Sequence, residues 1–234
     1  MKNFSVRSSE REIMDDMTMQ GTELRRTLDL LASVNQWLGG NRLIMDGISN
    51  MLRKVPKDRT VRILDLGCGN GDMLRRLHHF GKKKGYRFEL LGIDANVDAV
   101  AYATERSSGY DNVRFRALNV FSDEFSKLEY DIAMATLFLH HFSDQEIASL
   151  LAGIHSSASL GILVNDLHRS RMAYALFWLI SMFFGNELAR NDGLVSIRRS
   201  FRRQELENYA SLFQGRSSIK WKWAFRYQWI ITNR

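Results

Sequence analysis

The chain divides by the period of its apolar positions. Before residue 57 the spacing is helical. Leu24, Leu28 and Leu31 fall on one face and predict a helix over Glu23–Val34, with Thr22 as its cap. Gly39 and Gly40 end that unit, and Asn41 is placed to cap a second helix reaching about Arg53. Glu10–Met19 reads as a short helix after a frayed start. From residue 61 short apolar runs alternate with helical stretches. Strands are predicted at 61–66, 87–93, 112–117, 130–136 and 159–165, and helices at 71–83, 97–107 and 144–155, where Ser143 and Glu146 form a capping box. This alternation predicts an α/β fold, a parallel sheet with helices on both faces. Further helices are predicted at 170–184 and 202–213. The tail, Ser218–Thr232, alternates Ile219, Trp221 and Trp223 with Lys220 and Lys222 and reads as an antiparallel pair. Residues 1–56 are expected to be an N-terminal helical extension that acts as a lid. Residues 57–234 are expected to be the main domain, with a helical insertion at about 170–195, and Pro56 lies in the linker between the two.

Composition narrows the setting. A chain of 234 residues, 45% hydrophobic, fills a sizeable core. Its one cysteine, Cys68, excludes an intrachain disulfide and a cysteine-based zinc site, and no metal is expected. The start has no apolar segment of the signal-peptide kind, and Met172–Phe184 is too short to cross a bilayer, so a cytoplasmic location is expected. The net charge is +7 and is unevenly spread: from residue 167 onward twelve Arg or Lys stand against four acids. A basic surface beside an apolar segment suits an anionic membrane, a nucleic acid or an acidic ligand, or is merely a solvated face.

The first chemical signal is Val61–Gly71, VRILDLGCGNG. A strand buried on both faces runs into three alternate glycines, Gly67, Gly69 and Gly71, and then a helix. Such a turn lets a ligand approach the backbone closely. A dinucleotide fingerprint would need glycine at 72, where this chain has Asp72. The second signal is LLGID, whose Asp94 ends a strand where nucleotide-binding sheets place a carboxylate for ribose hydroxyls. The third is Asn119, with Val120, after strand three. The fourth is DIAMATLFLHHF, where strand four ends near Thr136 and Leu137 and is followed by His140 and His141. The fifth is ILVNDLHRSR, where strand five ends at Asn165 and Asp166 with His168 beyond, ahead of a helix that is apolar almost all round. NQWLGG adds Trp37, read either as a residue closing over the site or as a buried helix stop.

In order and spacing, residues 61 to about 166 resemble the class I S-adenosylmethionine-dependent methyltransferases, the D-x-G-x-G-x-G from Asp65 matching their first motif. The LHHF stretch resembles methyltransferases of quinones and small phenols. The resemblance implies a Rossmann-like fold with a seven-stranded, mostly parallel sheet and S-adenosylmethionine as cofactor. Its binding residues would be Asp65, Gly67, Cys68, Gly69, Gly71, Asp94, Ala95, Asn119, Val120, Thr136 and Leu137. The acceptor is expected to be small, aromatic or polyketide-like and lipophilic, methylated on a hydroxyl or an activated ring carbon. His141 is the first choice for the base, with His140 and His168 next, and Trp37, Asp166 and Tyr174 are expected beside the acceptor. A phenol with a pKa of about 10 suits a histidine base. Asp65 and Asp72 are expected to favour the donor's positive charges. An RNA or protein methyltransferase using the basic C-terminal part is the alternative. Nucleic acid is disfavoured because the proline-aromatic motif of amino-methylating enzymes is missing after strand four. A peripheral membrane contact and a monomer or homodimer remain open.

Overall fold

The computed structural model describes residues 3–213 and 215–233. In chain order its elements are α1 (Gly21–Trp37), α2 (Gly40–Met51), β1 (Thr60–Leu66), α3 (Asp72–Lys84), β2 (Arg87–Asp94), α4 (Val97–Arg106), β3 (Val113–Ala117) and α5 (Asp123–Ser126). They continue with β4 (Ile132–Thr136), α6 (Asp144–Ser157), β5 (Gly161–Leu167), α7 (Arg171–Ser181), α8 (Glu187–Arg199), α9 (Arg203–Ala210), β6 (Arg216–Lys222) and β7 (Arg226–Thr232). The seven strands form one sheet in the order β3-β2-β1-β4-β5-β7-β6. The first five are parallel; β7 runs antiparallel to β5 and to β6. The chain reverses its winding beside β1, which pairs β2 on one side and β4 on the other. In open sheets of this kind that switch point opens a crevice at the carboxyl ends of the strands.

Both faces of the sheet are covered, which is why its central strands are apolar without alternation. On β1, Val61 and Ile63 point to a core built with Ile44, Ile48 and Leu52 of the second helical segment and Leu74 and Leu77 of α3. Leu64 and Leu66 join the opposite core, with Ile147, Leu151 and Ile154 of α6 and Trp229 of β7. The capping box of Ser143 and Glu146 starts α6 as expected.

The N-terminal region departs from the sequence reading in instructive ways. Over Glu10–Met19 there is only a single 3-10 turn, Ile13–Asp15; the Asp15 and Glu12 carboxylates turn inward to basic groups far along the chain. Helix α1 starts earlier than the Thr22 cap suggests, because Asp98 of α4 accepts the Gly21 N–H at 2.8 Å. Helix α2 starts at Gly40, after Gly39 in the left-handed region, and Asn41 lies inside it. Nor is 1–56 uniformly outside the sheet. Helix α2 is packed onto it: a Cβ added at Gly47 would lie 2.6 Å from Leu163 of β5. Helix α1, by contrast, walls the crevice. The insertion expected near 170–195 takes the form of α7 and α8.

Candidate active site

The glycine turn follows β1 and carries positive φ at Gly67 (65°) and Gly69 (50°). At Gly67 a Cβ would also sit 2.4 Å from the Phe138 ring, so no other residue fits the turn undisturbed. The turn is held to β2 by two backbone donors: Cys68 N–H to the Ile93 carbonyl at 3.0 Å, and Gly69 N–H to Asp94 Oδ2 at 3.0 Å. Asp94 also accepts the Asn96 N–H on Oδ1 at 3.0 Å. Burial lifts its pKa, and these backbone donors oppose the rise. Asp65 is buried; desolvation and the neighbouring Asp94 hold its carboxyl well above the ordinary range. Burial likewise raises the Cys68 thiol, which keeps it unreactive.

These residues open into one cavity of about 870 Å³. Of the expected cofactor residues, Asp65, Gly67, Cys68, Gly69, Asp94, Ala95, Asn119, Val120, Thr136 and Leu137 all line it. Gly71 does not; it is the left-handed residue that starts α3. Leu137 is a non-glycine residue at φ 53°, held by its N–H to the Asn165 carbonyl at 2.8 Å. Strain at a residue of this kind typically costs about 1–3 kcal/mol and persists where the surroundings fix it. The Asn119 carbonyl oxygen accepts the Phe121 N–H at 2.9 Å, the local turn of an ordinary loop asparagine, so one of its acceptor positions is used. Asp72 is engaged by Arg76 Nε at 2.8 Å and so offers a cation less than Asp65 does.

His140 and His141 lie on the wall of the same cavity, on a 3-10 turn after β4. His140 is 2% exposed. Its Nδ1 lies 2.7 Å from Asp166 Oδ1 and its Nε2 3.5 Å from Glu12 Oε1. Burial opposes its charge, but the two carboxylates prevail and raise its pKa to about 9. At neutral pH it is therefore an imidazolium and has no lone pair to offer as a base. Asp166 is the anion behind it rather than part of the cavity lining, and its carboxyl is held low by His140 against the effect of burial. His141 is half-buried. Its Nδ1 lies 2.6 Å from Asp15 Oδ1, and its Nε2 lies 3.9 Å from Glu12 Oε2. Burial opposes the Asp15 charge, but His141 and Arg199 hold that carboxyl far below the usual range. His168 reaches the cavity too, with Nδ1 accepting the Trp221 indole N–H at 3.3 Å; burial and Arg202 and Arg169 lower its pKa.

Like Asp166, the other two expected acceptor residues are off the cavity wall. Trp37 is 85% exposed and absent from the cavity wall, because α1 ends there with its apolar face already spent on the cavity. Tyr174 packs edge-on against Phe4, 5.5 Å between centroids. Conversely, Glu12, Asp15 and Arg199 were not read from the sequence as site residues. Glu12 is buried, and Arg199 reaches Asp15 Oδ2 at 2.5 Å and the His141 carbonyl at 2.5 Å. The only sequence signal was an acidic cluster among apolar residues, EREIMDD, which says nothing about a partner at 140. Glu12, His140 and His141 each bring a donor atom within 4.8 Å of the others. A metal there would have to displace the His140 proton. Apolar side chains line another part of the cavity, Leu24, Leu28 and Leu31 of α1 together with Leu176, Phe177 and Ile180 of α7. A separate hollow of about 560 Å³ lies at the other edge of the strands, by Arg62, Glu89 and Arg114, and gathers none of these groups.

A glycine cradle beside the buried Asp65 carboxyl, which burial makes costly to ionise without a cation near it, fits S-adenosylmethionine, whose ammonium and sulfonium are both positive. The strand order, with a glycine turn after β1, is that of the class I methyltransferase fold. Residues 57–162 match the family described as "Methyltransferase domain". Those residues thus form a methyltransferase domain, and S-adenosylmethionine is the cofactor of the class I enzymes whose fold it shares. Among proteins it resembles is the non-reducing polyketide synthase mapC of Penicillium roqueforti, 28% identical over 53% of this chain and 5% of that one. Another is the carboxy-S-adenosyl-L-methionine synthase of Helicobacter pylori, 27% identical over 62% of this chain and 59% of that one. The matched region thus spans less than two thirds of these relatives. In fold, the plantazolicin methyltransferase BpumL in complex with SAH superposes with a TM-score of 0.64 at 17% identity, over 91% of this chain and 96% of that one.

Proposed function

We propose that the protein methylates a hydroxyl, or the activated ring carbon beside one, of a small lipophilic aromatic or polyketide-like acceptor. The observation that carries this reading is the shared cavity. The glycine turn, Asp65 and Asp94 occupy one part of its wall, apolar side chains of α1 and α7 occupy another, and the histidine pair opens into the same space. A polyketide synthase and a plantazolicin methyltransferase among the similar proteins support an acceptor of this kind.

In this reading Gly67, Gly69, Asp94 and Val120 hold the donor, and the buried Asp65 carboxyl favours its positive charge. When bound, S-adenosylmethionine supplies a methyl group activated by its sulfonium. The apolar walls align the acceptor and exclude water; alignment of this sort contributes roughly 7–11 kcal/mol to a bimolecular transfer. His141 accepts the acceptor's proton. With Nδ1 held by Asp15, Nε2 is the ring nitrogen left to meet the acceptor, the arrangement that orients a general base. His140, already protonated between Asp166 and Glu12, places a fixed positive charge beside the oxygen that becomes anionic.

The alternative, a nucleic-acid or protein substrate on the basic C-terminal part, loses support from the fate of those cations. Arg169, Arg199 and Arg226 are buried, and Arg198 and Arg203 pair with Glu10 and Glu207. The test is incubation of the enzyme with isotope-labelled donor and a cell extract, with products resolved by mass spectrometry. Label in a low-mass, organic-extractable product is expected. Label confined to protein or RNA would overturn the reading.

A further inference from the structure

Helix α7 is attached to the domain by a narrow stripe. Ala173 and Ser181 are buried, and Tyr174, Phe177 and Phe184 are half-buried against Phe4, Ile197 and Gly193. A surface helix of this attachment ordinarily turns a polar face to water. Here, after Arg171, the exposed positions of the helix and of the turn that follows it are apolar: Met172 is 61% exposed, Leu179 53% and Phe183 85%, with Trp178 and Met182 between them. Trp223, 70% exposed, extends the patch from the β6–β7 turn. A contiguous apolar surface of this extent marks a contact site.

Charge decides what it contacts. No acidic residue lies between Asp166 and Glu187, whereas Arg171 opens the helix and the Arg190 guanidinium lies over the Trp178 ring, 6.0 Å from its centroid. A second copy of this chain meeting the patch across a two-fold axis would bring these arginines toward each other with no carboxylate in α7 to receive them. An anionic lipid surface complements both features: apolar side chains enter the acyl boundary, tryptophans sit at the headgroup level, and arginines meet the phosphates. The patch also adjoins the cavity, since Leu176 and Ile180 are exposed residues of α7 that line it, as does Trp223.

We propose that the exposed face of α7 docks on an anionic membrane leaflet and that the acceptor enters the cavity from that leaflet. The route of entry rests on the small-acceptor reading; the docking itself is tested without it. The probe is co-sedimentation with vesicles of phosphatidylglycerol and phosphatidylcholine, against vesicles of phosphatidylcholine alone. Wild type is expected to bind the anionic vesicles and to be released by salt. Leu179→Glu with Phe183→Glu should weaken binding by about tenfold or more, because both side chains are outside the core and insert in the docked state. Circular dichroism and S-adenosylmethionine affinity of the variant should match wild type, which separates loss of docking from loss of fold or of the donor site. Arg171→Glu should weaken binding to anionic vesicles and leave the phosphatidylcholine control unchanged. Equal sedimentation of wild type and the double variant would overturn the proposal. So would a wild-type dimer, seen by light scattering, that the double variant converts to monomer, since the face would then belong to a second copy. Loss of donor binding by wild type would refute the methyltransferase reading and leave the vesicle result standing.

Discussion

The charge on His140 can be tested through stability alone. In the folded chain this imidazole titrates at about 9, against an ordinary value of 6.5; burial works against the charge and is outweighed by Asp166 and Glu12. The folded state therefore holds a proton that the unfolded chain releases. The resulting stabilisation is complete below the unfolded value and is lost as pH rises through about 9. The gap between the two values corresponds to roughly 3 kcal/mol between about pH 6 and about pH 10. For a chain of this size that is a fall of roughly 6–12 °C in Tm. Other groups titrate in the same range, so the quantity to measure is a difference. Urea unfolding of wild type and His140→Gln should be followed at several pH values across the interval. The glutamine cannot be protonated and leaves Asp166 and Glu12 facing a neutral amide. The variant should be least stable relative to wild type at the acidic end, and the two should converge by roughly 3 kcal/mol toward the alkaline end. A wild-type-to-variant gap that stays constant over the interval would refute the imidazolium assignment and return His140 to the set of candidate bases.

Other expectations follow from the same geometry. Gly69→Arg places a long side chain at a left-handed position whose Cβ would lie 3.3 Å from Leu28 across the cavity; calorimetry should find no S-adenosylmethionine binding, and unchanged affinity would reject the site. Asp94→Ala removes both the proposed ribose contact and the acceptor of the Gly69 N–H, so donor affinity should fall by about tenfold or more while acceptor KM moves less. His141→Ala should reduce kcat by roughly 100-fold or more with donor affinity intact. Asp15→Asn should lower kcat less and alter its pH profile, since the imidazole loses its orienting anion; full turnover by His141→Ala would remove it as the base. Asp65→Asn should weaken donor binding and flatten its dependence on pH, read by calorimetry at several pH values, because burial raises the wild-type carboxyl and an arriving cation favours its ionised form.

Much of the scaffold was written locally. The apolar run Val61–Leu66, the alternate glycines and Asp94 are near neighbours across one strand pair, so their spacing along the chain already placed a turn and a carboxylate at one sheet edge. Helices α3, α4 and α6 followed for the same reason, since their period and caps are local properties, whereas the four-residue α5 is too short to show a period. The sequence reading failed where the deciding partner is distant. The start of α1 depends on Asp98, and α2 is sheet packing rather than lid because Gly47 admits Leu163. Trp37 lost its place at the acceptor for a like reason: once α1 had turned Leu24, Leu28 and Leu31 to the cavity, Trp37 was left in water.

The sequence alone thus determined the sheet, the glycine turn and the class of ligand that turn accepts, since backbone periodicity and the freedom of glycine act over a few residues. Only the tertiary structure decided the chemistry at the acceptor end. Two adjacent histidines, indistinguishable as letters, acquired different surroundings when Glu12 and Asp166 closed around one and Asp15 and Arg199 reached the other. Charge at a buried group is set by what lies within a few ångströms in space, and for His140 and His141 those neighbours come from both ends of the chain.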